Sequence, residues 1–188
     1  FPTRRASDLS NGESDISAEL VGKLIFGASS PTDYPAVGDW VFVNFYDENT
    51  FAIIHEVTSR KSLLKRKAPG KKVDFQLIAA NIDVAFIVQS LNENFNLRRL
   101  ERYLVMVNES NIQPIVLLSK SDLLASEDIA DKINDIQEVM PDLQVIPFSN
   151  ENESGLDSVR EIMQPGLTYC LLGSSGVGKT TLINNLIG

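Results

Sequence analysis

Gly173-Ser174-Ser175-Gly176-Val177-Gly178-Lys179-Thr180 is the stretch on which the fold of this 188-residue chain turns. It satisfies the pattern GxxxxGK[ST] and stands between an apolar run, residues 167–172, and the segment Thr181-Leu182-Ile183-Asn184-Asn185-Leu186. That context is strand, glycine-rich turn, helix, which the motif requires if it is to bind phosphate. The glycines let the backbone wrap closely around phosphate oxygens. Consecutive N–H groups, from Gly173 to Thr181, form an anion-binding nest at the positive end of the following helix. Lys179 is expected to reach the β- and γ-phosphates, and Thr180 to place its hydroxyl on a nucleotide-bound Mg²⁺. The motif alone serves ATP or GTP equally well.

Working back from this loop, residues 84–88, 114–118, 143–147 and 167–172 are short, continuous apolar runs, the pattern of strands buried on both faces. Between them residues 97–108, 127–140 and 156–163 repeat apolar side chains at three and four, as crossover helices do. The second half is therefore α/β. At the end of the second run stands Ser119-Lys120-Ser121-Asp122, which resembles the [NT]KxD element that selects guanine. A carboxylate only accepts hydrogen bonds, so Asp122 suits the N1–H and exocyclic amine of guanine, a donor pair that adenine lacks. Lys120 is expected to lie along the base, and Ser119 to brace the loop in place of the usual Asn or Thr. After the third run, Phe148-Ser149-Asn150 resembles the loop that reads guanine O6, with Asn150 where Ala is usual. Both base-reading elements precede the phosphate loop, the reverse of the ordinary order.

The first part of the chain reads differently. Residues 20–26, 40–45 and 51–57 are β-like runs bounded by Gly, Pro, Asn or Asp, which suggests a small antiparallel sheet or barrel following a polar stretch over residues 7–17. Net charge is −8, yet up to Ala80 the chain holds ten Lys/Arg against ten Asp/Glu, so the excess acid lies entirely beyond it. Such a balance opposes indiscriminate nucleic-acid binding but leaves room for a local patch. Arg60, Lys61, Lys65, Arg66, Lys67, Lys71 and Lys72 form one, read as a loop around Pro69-Gly70, with no carboxylate among residues 60–72. It is either a solvated loop or an RNA contact. No apolar run approaches the roughly 18–20 residues of a membrane span and no signal sequence is present, so a cytoplasmic location is expected. The only cysteine, Cys170, reads as a buried thiol, and the only histidine, His55, as structural.

The permuted motif order, with Pro35-Ala36-Val37-Gly38-Asp39-Trp40-Val41, Arg66-Lys67-Ala68-Pro69-Gly70, Ala79-Ala80-Asn81-Ile82-Asp83, Leu100-Glu101-Arg102-Tyr103-Leu104 and Gly155-Leu156-Asp157, resembles the bacterial ribosome-small-subunit-dependent GTPase A family. The resemblance implies an OB-like β-barrel over residues 1–78, then a circularly permuted P-loop GTPase domain over residues 79–188, then a zinc-binding domain. It implies GTP hydrolysis, with GTP/GDP and Mg²⁺, by a monomeric factor in late maturation of the small ribosomal subunit, in contact with its rRNA and with no membrane. Only residues 181–188 follow the Lys-Thr pair and no DxxG occurs, so the switch segments and the zinc domain are expected to lie outside this chain, leaving it inactive or binding-only. Two other readings stand beside this one: a non-catalytic rRNA-binding module, and an ATP-using P-loop protein.

Overall fold

The chain divides into two compact units, Phe1–Asn81 and Ile82–Gly188, and the computed structural model describes residues 7–67 and 75–187 of it. In the first unit β1 (Ser7–Ser10) and β2 (Asp15–Leu20) form a hairpin. Its turn is Asn11-Gly12, where Asn11 Oδ1 accepts from the backbone N–H groups of Glu13 (2.9 Å) and Ser14 (2.8 Å). The polar stretch over residues 7–17 thus holds strand structure, for which Asn-Gly is a recognisable turn signal. The run at residues 20–26 is largely helix, α1 (Gly22–Gly27). A strand would set Leu24 and Phe26 on one face. The helix separates them, so that Leu24 packs on Ala18, Ala52 and Ile54 while Phe26 stays in solvent.

β3 (Val41–Tyr46) and β4 (Phe51–Val57) complete a four-stranded sheet of order β1-β2-β4-β3. β4 runs antiparallel to β3 and parallel to β2. β5 (Leu63–Lys67) and β6 (Phe75–Ala80) pair only with each other, so part of the basic stretch expected as loop is strand. Among the described residues no closed barrel is found: the strands form an open sheet and a separate hairpin, and because β2 and β4 run parallel the sheet is mixed and not antiparallel throughout as expected.

A polar knot organises the segment around Asp39. The Arg60 guanidinium donates to both Asp39 oxygens (Nε 2.8 Å, Nη2 2.6 Å) and to the carbonyls of Thr32 (2.5 Å) and Tyr34 (2.7 Å). Asp39 also accepts from Ala36 N–H at 2.7 Å, and its side chain is 1% exposed. Nearby, Asn81 accepts from Lys61 N–H and donates to Gly38 O, closing the unit's last turn.

In the second unit the strands are β7 (Val84–Ser90), β8 (Gln113–Ser119), β9 (Val145–Pro147) and β10 (Tyr169–Leu172). They form an all-parallel sheet of order β10-β7-β8-β9. The crossovers are α2 (Leu97–Glu109), α3 (Ser126–Val139) and α4 (Leu156–Glu161), and α5 (Lys179–Ile187) follows β10. Central β7 is buried at every position, because helices cover both faces of a parallel sheet. Val84, Phe86 and Val88 pack with Leu156 and Val159 of α4 and Leu182 of α5, while α2 packs on β7 and β8. Burial pushes the Cys170 thiol up to about 11, which keeps it protonated and unreactive at neutral pH. No helix among the described residues is long and apolar enough to cross a membrane.

Candidate nucleotide-binding site

The carboxyl ends of the four parallel strands share one edge of the sheet, where ligands of open α/β sheets gather. The loop after β10 is the glycine-rich turn. Gly173 has φ +150°, and a Cβ there would meet Val88 O at 2.4 Å. Gly178 has φ +93°, and a Cβ there would meet the Asn150 amide nitrogen at 2.7 Å. Only glycine fits either position. Val177 anchors the turn in the core at 3% exposure, while Ser175, Gly176, Thr180 and Thr181 are exposed. Among the described residues, the backbone N–H groups of residues 174–178 donate to no backbone carbonyl, so they remain available as a nest. The Lys179 ammonium donates to Gly173 O (2.9 Å) and Ser174 O (2.6 Å), which arches the side chain over the loop and leaves one of its three protons.

The loop after β8 carries the tetrad Ser119-Lys120-Ser121-Asp122, expected from sequence to read the base. Ser119 is fully buried, and its hydroxyl donates to Val177 O at 2.7 Å, with Gln89 O at 3.3 Å as a longer alternative. The bracing expected of this residue is thus directed at the phosphate loop itself. Lys120 leaves the strand through a left-handed conformation, φ +62°. Asp122 is exposed and accepts a hydrogen bond from the Ser149 hydroxyl. Ser149, fully buried after β9, accepts from the N–H groups of Glu151 (3.1 Å) and Asn152 (3.4 Å). With its lone pairs so occupied, its single proton points at the carboxylate and fixes the side chain of Asp122. Ser121 N–H donates to Phe148 O at 3.1 Å, joining the two base loops.

Asn150 reaches from the same loop to the phosphate turn. Its amide nitrogen donates to Gly178 O at 3.2 Å, and its amide oxygen accepts from Asn185 of α5 at 3.2 Å. The fold therefore brings together Ser119, Lys120, Asp122, Ser149, Asn150 and residues 173–181. Two contributors escape sequence reading: Gln89, whose amide locks onto the backbone of Asn96, and Asn185, whose partner lies 35 residues away. No periodic or motif signal marks either.

The basic residues belong to the first unit. Arg60 is spent on Asp39 and two carbonyls, with 15% of its side chain exposed, so it is a structural residue and not a free phosphate contact. Lys61 is exposed, Lys65 lies 4.7 Å over the Phe75 ring, Arg66 donates to Gln76 Oε1, and Lys67 is exposed. Lys71 and Lys72 lie outside the described residues.

The sequence profile of the RsgA GTPase family matches residues 57–188. Small ribosomal subunit biogenesis GTPase RsgA 2 of Lactiplantibacillus plantarum is 43% identical over 172 residues, covering 92% of this chain and 48% of that protein. Small ribosomal subunit biogenesis GTPase RsgA of Methanosarcina acetivorans is 44% identical over 154 residues, covering 82% of the chain and 41% of that protein. The chain spans about half the length of the curated relatives it matches. Among solved structures, YloQ, described as a circularly permuted GTPase, superposes with a TM-score of 0.62 at 27% identity, covering 96% of this chain and 62% of that one. YjeQ from Thermotoga maritima superposes at 0.72 and 22% identity, covering 95% and 60%, a likeness of fold.

Proposed function

We propose, because the chain belongs to the RsgA GTPase family, that its second unit selects and holds guanine nucleotides and that the complete protein hydrolyses GTP during biogenesis of the small ribosomal subunit. The observation that carries this reading is the union of two half-sites. An exposed carboxylate, aimed by Ser149, stands on the strand edge whose buried Ser119 holds the phosphate turn. Asp122 accepts from guanine N1–H and the 2-amino group, while the N–H nest and Lys179 receive the phosphates. Mg²⁺ would be held by the exposed Thr180 hydroxyl together with phosphate oxygens and would supply neutralisation of phosphate charge. In hydrolysis a water oxygen bonds to the γ-phosphorus as the bridging P–O bond breaks, giving GDP and inorganic phosphate. Lys179 stabilises the charge that develops.

Base choice tests this reading. In the full-length protein GDP and GTP should bind in preference to ATP, and Asp122→Asn should lower guanine-nucleotide affinity at least about tenfold, since each charge-assisted hydrogen bond is worth about 1.5–3 kcal/mol. Competition against a fluorescent GDP analogue measures both. Equal affinities for ATP and GTP would return the site to the ATP-using class.

The ribosomal part of the proposal places rRNA contact on Lys61, Lys65, Arg66 and Lys67, with Lys71 and Lys72, and assigns no such role to Arg60. The open sheet and the β5–β6 hairpin are compatible with a partly open OB-like barrel, a fold that binds oligonucleotides. A cytoplasmic monomer with a further zinc-binding domain completes the proposal. Reversing Lys65, Arg66 and Lys67 to glutamate should weaken small-subunit binding and flatten its salt dependence, because an RNA phosphate that is no longer neutralised keeps its condensed counterion. Nucleotide affinity should stay unchanged. Identical salt slopes for both proteins would leave the patch a solvated surface.

A further inference from the structure

Asn150 stands where the O6-reading GTPase loop that this segment resembles usually carries alanine, a side chain with no hydrogen-bonding group. In this chain the side chain is half-buried and bonded at both ends. Its Nδ2 donates to Gly178 O, a carbonyl that also accepts from Leu182 N–H at 2.9 Å as the first bond of α5. Its Oδ1 accepts from Asn185 Nδ2, which sets the amide so that its nitrogen faces the phosphate turn. The approach is close: a Cβ on Gly178 would stand 2.7 Å from that nitrogen. Asn150 directly follows Ser149, the residue that aims Asp122. One amide thus connects the base-reading loop, the phosphate turn and the helix whose N-terminus faces the phosphates.

We propose that Asn150 is a positioning residue that fastens the base-reading loop to the phosphate turn, so that guanosine and diphosphate are held as one ligand and released slowly. This rests on the guanine-nucleotide reading above. A side chain ending at Cβ would leave Asn150's loop tied to the phosphate turn by way of the loop after β8, through Ser121 to Phe148 and Ser119 to Val177, neither of which touches Gly178 or α5. Asn185 then has a secondary part, orienting the amide without touching the phosphate turn through its own side chain.

The test uses the full-length protein with a fluorescent GDP analogue in stopped flow, and guanosine as a competitor. Asn150→Ala should raise the dissociation rate of the analogue about tenfold, the loss of one net hydrogen bond, with association nearly unchanged. Guanosine has no phosphate to feel the turn, so its affinity should not move. Asn185→Ala should raise dissociation by a smaller factor, about threefold, and add nothing in the Asn150→Ala background, since its effect passes through Asn150. If Asn150→Ala does not fold, Asn185→Ala carries the same GDP-against-guanosine comparison alone. Unchanged dissociation in either tested single variant, or equal weakening of guanosine and GDP, overturns the proposal and leaves Asn150 a packing residue. An unmodified protein that does not bind the GDP analogue overturns the nucleotide reading itself, a failure distinct from the other two.

Discussion

Arg60→Ala should lower the melting transition of the amino-terminal unit by on the order of 20 °C, a larger stability loss than any expected from the nucleotide site. Removing one partner of a buried ion pair costs about 3–5 kcal/mol, because the remaining charge stays desolvated. Asp39, 1% exposed, is that charge. In a domain of this size each kcal/mol is worth about 4–8 °C. The carbonyls of Thr32 and Tyr34 lose their donor at the same stroke. Arg60→Lys should rescue only part of the loss, since an ammonium cannot span both Asp39 oxygens and two carbonyls in one plane. Adding Asp39→Leu should not restore stability either: the Ala36 N–H and both carbonyls would still lack partners. Thermal melts followed by circular dichroism measure the set. A transition within about 3 °C of the unmodified protein, on the order of 0.5 kcal/mol, would mean that water replaces the guanidinium at little cost.

Lys179→Ala should weaken GTP binding about tenfold to a hundredfold and bring hydrolysis by the full-length protein to background. The one proton left on the ammonium makes a charge-assisted bond to phosphate worth about 1.5–3 kcal/mol, and loss of a donor to the developing charge costs a further factor of about 100 to 1,000 in rate. GMP, which lacks the phosphates Lys179 is expected to reach, should lose little affinity. The fold should persist, because the side chain buries no apolar surface and its two acceptors, Gly173 O and Ser174 O, lie on a loop that water reaches. Calorimetric titration with GTP and GMP, beside a phosphate-release assay, separates these effects. Equal losses for the two nucleotides would remove Lys179 from the β- and γ-phosphates.

Sequence period is a sound guide wherever burial is two-sided. The apolar runs of β7 and β8 are set by helices on both faces, and the glycine-rich turn is set by a conformation only glycine adopts at Gly173 and Gly178. It fails where strands are short, polar and at an edge. β1 and the start of β2 carry Ser, Asp and Leu in a pattern indistinguishable from a loop, and only Asn11-Gly12 announces the hairpin. Leu24 and Phe26 read as strand because both are apolar, although only one packs into the core. At the site, Asp122 and Lys179 are legible because their chemistry is local to a motif. The fate of Arg60 is not, since its partner Asp39 is 21 residues away and charge counting treats every arginine alike. The links from Ser119 to Val177 and from Asn150 to Asn185 are hidden for the same reason: they join segments 58 and 35 residues apart.

The position of β10 at the edge of the parallel sheet has a consequence for how the chain is made. β10 pairs with β7, Cys170 opposite Ala85, so the most buried strand of the unit waits for this neighbour while some 85 residues are synthesised. At about 5–20 residues per second that delay is roughly 4–17 s on the ribosome. Through it one edge of β7 is unpaired and sticky, while β8 and β9, with both candidate base loops, are already in hand. Closing so distant a pair is the slow event in folding of such a topology. The permuted order therefore brings the phosphate turn in after both candidate base loops, and until it arrives the nascent chain exposes an adhesive strand edge of the kind chaperones cover.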